Sequence, residues 1–259
     1  MAFIAGHRTQ ILAGKYDLSN YLNTHAASGG QSMHDTSTFM NEAKTYIPGQ
    51  TDGSVSLTGL YEDDTDLDPT AGTTIVFNEY MDSLVGAASA TPVTALHEVT
   101  TVGGRASMIL GHCTSYGIEI PVDGVVSVSA EFQSTDYGVW PGVALQGGVV
   151  ATGATGNGTD YDTSVATTAT GAVGFLHMVA NTRDAGSAIV KIQHAADSTG
   201  SPGTYADLIE FSSVAALATA TEAIAATGTV NQWLRYTITV TAGSTGTFSF
   251  YTSLARFNP

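Results

Sequence analysis

Asp64, Asp66 and Asp68 stand at alternate positions, the spacing at which an EF-hand loop presents its first three calcium ligands. The residues that follow do not complete the set. The sixth position is Pro69, where the sharp turn needs Gly, and the twelfth is Ile75, where a bidentate Glu should close the coordination sphere. The acidic run therefore reads as a solvated loop ahead of a helix, whose N-terminal dipole favours negative charge.

Other candidate chemistry is equally incomplete. Seven histidines, at 7, 25, 34, 97, 112, 177 and 194, show neither the i,i+4 pair on a helix nor the His/Cys grouping that zinc needs. His112 and Cys113 are adjacent, so on a strand they face opposite ways, and a thiolate would need a cationic setting that this acidic chain hardly offers. His177 and His194 lie in apolar strands and read as packed, hydrogen-bonded histidines. No G-x-S-x-G elbow occurs, and GATGNGTD at 153–160 lacks the Lys-Ser/Thr ending of a phosphate loop. Asn157-Gly158-Thr159 fits a glycosylation acceptor, but no secretion signal accompanies it. Trp140, Trp233, Tyr161 and Tyr205 could form a sugar-stacking platform or could be packing residues. No catalytic residue, cofactor site or metal site is expected.

The elements around these residues read as strands. SVSLTGLY at 54–61 alternates Val55, Leu57 and Tyr61 with Ser54, Ser56 and Thr58. VVSVSAEFQ at 125–133 alternates Val126, Val128, Ala130 and Phe132 with Ser127, Ser129, Glu131 and Gln133. Residues 116–133 read as a hairpin turning at Asp123-Gly124. One helix is expected at about 73–86, with an apolar stripe of Ile75, Val76, Tyr80 and Leu84 beside Phe77 and Met81, a start at Asp68-Pro69-Thr70 and a stop at Gly86. Further strands are expected around 174–180, 188–195, 204–211, 231–241 and 245–257. The Ala-rich 215–228 is read as loop and strand because three Thr interrupt it. Residues 146–172 are almost all Gly, Ala and Thr among other small or polar residues, and suggest a boundary near 150. The expectation is an all-β protein with one helix, in which residues 1–150 form one domain and 151–259 a smaller antiparallel β-sandwich.

Composition narrows the function classes. The 259 residues carry 23 Asp+Glu against 8 Lys+Arg, a formal charge of −15, with only 12% charged residues and 43% apolar ones. That suffices for a core. So few cations cannot neutralise phosphates, which argues against nucleic-acid binding by counterion release. A single cysteine allows no internal disulfide. The N-terminal MAFIAGHRTQILAGKYDL has no basic region followed by a long apolar one, and no apolar run approaches the roughly 20 residues of a bilayer span, so neither secretion nor membrane insertion is expected.

The run HDTSTFMNEAKTYIPGQTDGSVSLTGLYEDD, residues 34–64, resembles a segment of the major tail (tail tube) proteins of long-tailed bacteriophages. There, Asp-Thr-Thr/Ser-x-Phe precedes Ala-Lys-x-Tyr-x-Pro-Gly, then Asp-Gly-Ser and an alternating strand ending in Gly-x-Tyr. The matching positions are Asp35, Thr36, Phe39, Ala43, Lys44, Tyr46, Pro48, Gly49, Asp52, Gly53, Ser54, Gly59 and Tyr61. The likeness covers about residues 1–145. Downstream, IQHAADSTGSPGTYADLIEF and GTVNQWLRYTITVTAGSTGTFSFYTSLAR resemble a β-sandwich module of phage virion proteins.

This resemblance implies a non-enzymatic virion protein, made in the bacterial host cytoplasm, whose hexameric rings stack into a hollow tail tube. Its implied partners are its own copies, a tape measure protein and tail-end proteins. DNA would pass without specific binding. It further implies a tube-type β-sandwich or barrel domain over 1–150, an exterior sandwich over 151–259, and a loop at His34, Asp35, Phe39, Lys44, Tyr46, Pro48 and Gly49 offered to a neighbouring subunit. Glu119, Asp123 and Glu131 are candidates for the lumen, where like charge would keep DNA from sticking. Two other readings stand beside it: a carbohydrate- or receptor-binding virion protein working through the C-terminal sandwich, and a hydrolase of cell-surface polymer, which lacks a carboxylate pair.

Overall fold

The computed structural model describes residues 9–37, 43–62, 66–67, 75–98, 101–135, 138–150, 155–241 and 245–257. The first half contains β1 (Gln10–Ala13), β2 (Tyr16–Asp17), β3 (Leu22–Asp35), β4 (Tyr46–Leu60), the helix α1 (Phe77–Leu84), β5 (Thr91–Leu96), β6 (Arg105–Glu119), β7 (Ser127–Ser134) and β8 (Trp140–Val150). The second contains β9 (Gly156–Asn157), β10 (Tyr161–Asp162), β11 (Ala172–Asn181), β12 (Ser187–Ala195), β13 (Ala206–Glu210), β14 (Val214–Ala215), β15 (Ala220–Ala226), β16 (Trp233–Val240) and β17 (Phe248–Arg256). The chain is all-β with one helix among the described residues, as its patterning predicts. None of the described helical residues forms a span long and apolar enough to cross a membrane.

Two sheets result. The larger runs β15-β11-β17-β8-β6-β5-β1-β2, with β7 joining β6 and carrying β4 and then β3 beyond it; the smaller runs β10-β16-β12-β13, with β9 and β14 on its flanks. All the strand pairings are antiparallel, so each strand can alternate its two faces between different environments.

Three apolar clusters follow from that alternation. In the first half, Val55, Leu57, Val128, Ala130 and Phe132 close over Ile11, Val93 and Ile109. The helix caps this core with Phe77 and Met81, both buried. It is shorter than the apolar stripe suggests, and Gly86 at φ +73° follows its end. The proposed start at Asp68-Pro69-Thr70 lies outside the described residues. In the second half, Leu176, Met178, Phe248, Phe250 and Leu254 on the large sheet pack against Val190, Ile192, Leu234 and Ile238 on the small one, forming a sandwich.

The third cluster joins the halves. Leu12, Leu96, Met108 and Trp140 meet Val173, Phe175 and Tyr251, which occupy the opposite faces of β11 and β17. Both faces of these two strands are therefore covered. Thr252 and Ser253, neighbours on opposite faces of β17, are both 1% exposed, and Ser253 Oγ donates to Met108 Sδ at 2.8 Å. His177 is fully buried in the same region. Its Nδ1–H donates to the Gly14 carbonyl at 2.6 Å, leaving Nε2 to accept from the Thr94 hydroxyl at 2.8 Å. Burial lowers its pKa to about 4.

The residues near 150 lie within this continuity. β8, ending at Val150, pairs with β17 from Val143↔Leu254 to Val150↔Phe248, so the C-terminal sandwich includes a strand that precedes that point. The Ala-rich 215–228 begins on the last residue of β14 and contains β15, which pairs along β11. Arg183 is also fully covered. Its Nε donates to Asn181 Oδ1 at 3.0 Å and Nη2 to the Val214 carbonyl at 3.0 Å, its guanidinium lies 5.6 Å from the Phe248 ring centre, and burial pushes its pKa down.

Candidate functional site

Two long hairpins and the sheet between them dominate the exposed part of the first half. β3 and β4 pair from Leu22↔Gly59 out to Asp35↔Tyr46. β4 is flanked by β7 only from Ser54 to Leu60, so beyond Ser54 the ribbon has no further neighbour. At about 3.4 Å per residue, the free part from Ser28 to Asp35 reaches roughly 25 Å. Ser28 through Asp35 are exposed on both faces.

Pairing collects the predicted contact residues at this tip. His34 opposes Ile47, Asp35 opposes Tyr46, and Met33 opposes Pro48. Lys44 lies in the turn, while Phe39 lies outside the described residues. Asp35 Oδ1 accepts the Ser37 N–H at 2.8 Å, the Ser37 side chain and then this N–H hold its carboxyl below the usual range, and Thr45 N–H donates to Ser37 Oγ at 2.9 Å. Much of the segment expected as a loop is therefore ribbon. A Cβ on Gly49 would meet Ser32 Oγ and come within 2.6 Å of His34 Nε2, so those exposed side chains would have to turn aside. At the root of the arm, a Cβ on Gly53 would meet Gly138 Cα and Val139 N at 2.7 Å.

The four-strand surface β3-β4-β7-β6 buries one face and exposes the other. Ser54, Ser56 and Thr58 align across the ladder with Gln133, Glu131 and Ser129, and these in turn with His112, Ser115 and Gly117. Ser28, Ala26 and Thr24 extend the row onto β3, and a hydrogen bond of 3.0 Å joins the Ser28 and Ser54 hydroxyls. Glu131 and Glu119 lie on this face, Glu119 opposite Ser127. Asp123 sits apart, in the turn after β6. Among the described residues this register carries carboxylates and no Lys or Arg.

β6 and β7 form the second arm. Its tip exposes Ile118 (43%), Ile120 (76%), Val122 (100%) and Val125 (69%). The sequence signal, the run GIEIPVDGVV, looks like ordinary strand alternation; only the structure shows that both sides of its end are uncovered. β3 meanwhile has β4 as its single partner, leaving one edge of backbone N–H and C=O groups open.

The other candidates resolve into packing. Cys113 is buried with burial raising its pKa, its thiol donates to the Ser115 carbonyl at 3.4 Å, and His112 is exposed on the other face. No group of three or more His, Cys, Asp or Glu among the described residues could hold a metal ion. Trp140 is withdrawn from any stacking platform, packed edge-on against Phe175 at 5.6 Å. Tyr205 lies under the Arg235 guanidinium at 3.7 Å, and Trp233 Nε1 donates to Asp197 at 3.0 Å.

No protein family and no curated protein matches the chain. Solved structures do. Its structural neighbours are phage-tail and related particle proteins. One is the SPP1 tail tube, 14% identical with a TM-score of 0.41, covering 54% of this chain and 78% of that one. Another is a chain of the native gene transfer agent virion, 14% identical with a TM-score of 0.37, covering 51% and 93%. A third is the SPP1 Dit protein, described as a hub of the adsorption apparatus in phages infecting Gram-positive bacteria, 13% identical with a TM-score of 0.37 and covering 96% and 99%. Likenesses of this size establish no residue equivalence.

Proposed function

We propose that the chain is a structural tail protein of a phage or phage-like particle, non-enzymatic, whose copies assemble into stacked hexameric rings around a channel. The observation that carries this reading is the combination on one sheet: a small-residue polar face whose charges are carboxylates, an open β3 edge, and an arm at either side. An open edge recruits a strand from another copy, and closing such edges in a ring removes the exposed backbone groups. The polar face then lines the channel, with Glu119 and Glu131 on its wall and Asp123 at its mouth. Six copies at −15 each carry −90, a field that disfavours phosphate adhesion. The tip of the β3–β4 arm, with His34, Asp35, Lys44, Tyr46, Pro48 and Gly49, meets the adjoining ring. The second-half sandwich decorates the exterior, and a tape measure protein and tail-end proteins complete the contacts.

Electron microscopy of the purified protein tests this directly. Rings or tubes of uniform width are expected; a protein that stays monomeric across concentration, or a reconstruction whose channel wall is basic, overturns the reading.

A further inference from the structure

A cavity of about 860 Å³ opens where the two halves meet, away from the polar sheet face. Its lining combines the polar His97, Arg105 and Arg256 with the apolar Val143, Leu234 and Leu254 and the ring of Tyr161. Its charge is the reverse of the chain's. Acids outnumber bases 23 to 8 overall, yet among the described residues two arginines and no Asp or Glu line this space.

The cations found elsewhere are mostly occupied. Lys191 holds Asp207 at 2.8 Å and Glu210 at 2.6 Å, Arg235 faces Asp160 at 3.8 Å, and Arg183 is buried and hydrogen-bonded. Arg105, like Lys15 and Lys44, makes no ion pair among the described residues. Arg256 spends its two Nη groups on neutral acceptors: the carbonyls of Ala166, Val230 and Asn231 and the Thr163 hydroxyl. Its Nε is buried without a partner. A buried donor left unmade carries the full cost of its lost hydration unless an acceptor arrives.

We propose that this cavity is a binding site for a carboxylate attached to an apolar or ring-shaped body. Arg105 offers the planar fork that matches a carboxylate, Arg256 adds its positive charge, and the apolar lining with Tyr161 takes the body. A volume near 860 Å³ falls within the size of small-ligand sites. The carboxylate can come from a free sugar acid or from an acidic side chain on another protein chain. The site does not depend on whether the protein forms tubes.

Calorimetric titration of the full chain separates these outcomes, with galacturonate against galactose in one arm. In the other arm, the peptide YEDDTDLD, residues 61–68, is compared with its amide counterpart YQNNTNLN. At least one acid is expected to bind, its neutral counterpart not, with affinity falling as salt rises. Arg105→Gln should weaken binding about tenfold, the loss of one charge-assisted contact. Val165→Asp, at an exposed rim residue, should do the same by supplying a competing carboxylate. Binding of galacturonate identifies a free acid as the source, and binding of the peptide a protein carboxylate. Failure of both acids to bind, or binding that neither variant changes while both variants melt like the parent, overturns the proposal.

Discussion

Replacing Ile120 and Val122 together by Asp gives a sharp test of the second arm. These residues are 76% and 100% exposed in the single chain, so neither contributes core burial there. Surface changes of this kind alter folding stability by about 0.5 kcal/mol or less. In a tube where the tip is covered by another subunit, each side chain contributes about 1.5–3 kcal/mol of burial. Losing both removes about 3–6 kcal/mol per contact. That raises the concentration needed for assembly by about a hundredfold to ten-thousandfold. The assay is sedimentation of assembled material across a concentration series, with negative-stain images of each pellet and a melting curve of the unassembled protein. Glu119→Gln serves as control, because it alters the polar sheet face and leaves the apolar side chains of the tip unchanged. If the double variant Ile120→Asp, Val122→Asp pellets at the parent's concentration with an unchanged melting temperature, the reasoning is refuted.

Further outcomes follow from the interior. His177 titrates near 4 in the folded chain against an ordinary value of 6.5, so the unfolded chain binds the proton first as pH falls. The stability it contributes is full above pH 6.5 and declines between 6.5 and about 4, by about 3 kcal/mol in all; melts over that range should flatten for His177→Gln relative to the parent. Gly53→Val forces a Cβ against the backbone of Gly138 and Val139 and should cost about 1–3 kcal/mol in denaturant unfolding, whereas Gly30→Val, which meets nothing within 4 Å, should cost less. Finally, a fragment of residues 140–259 should fold by near-UV circular dichroism better than one of 151–259, because only the longer one keeps β8 beside β17.

The sequence reveals local patterns and hides distant partners. Val128, Ala130 and Phe132 alternate so cleanly that their burial is legible, and the stripe through Phe77 and Met81 marks the helix. β4 is different. Pro48-Gly49 and Asp52-Gly53 look like turns, yet the strand runs through both. Pro48 sits where β4 has a neighbour on one side only, so its missing N–H interrupts no second ladder, and Gly49 lies close to Ser32 and His34. Residues 146–150, QGGVV, look like the start of a boundary because their Gly pair carries no pattern; they are a strand paired with Phe248 to Thr252, far along the chain. The cavity was invisible for the same reason. Arg105 and Arg256 are far apart in the chain, and the β6–β8–β17 succession brings them to one space.

β6 serves two neighbourhoods along its length. Its first half pairs with β5 and β8, and its second half with β7. One continuous strand thus runs from the exposed apolar tip to the seam where the halves join. A pull on that tip loads the antiparallel ladders lengthwise, so their hydrogen bonds share the strain together rather than opening one after another. Force applied at that tip would be carried along this strand into the seam, where Arg105 begins β6.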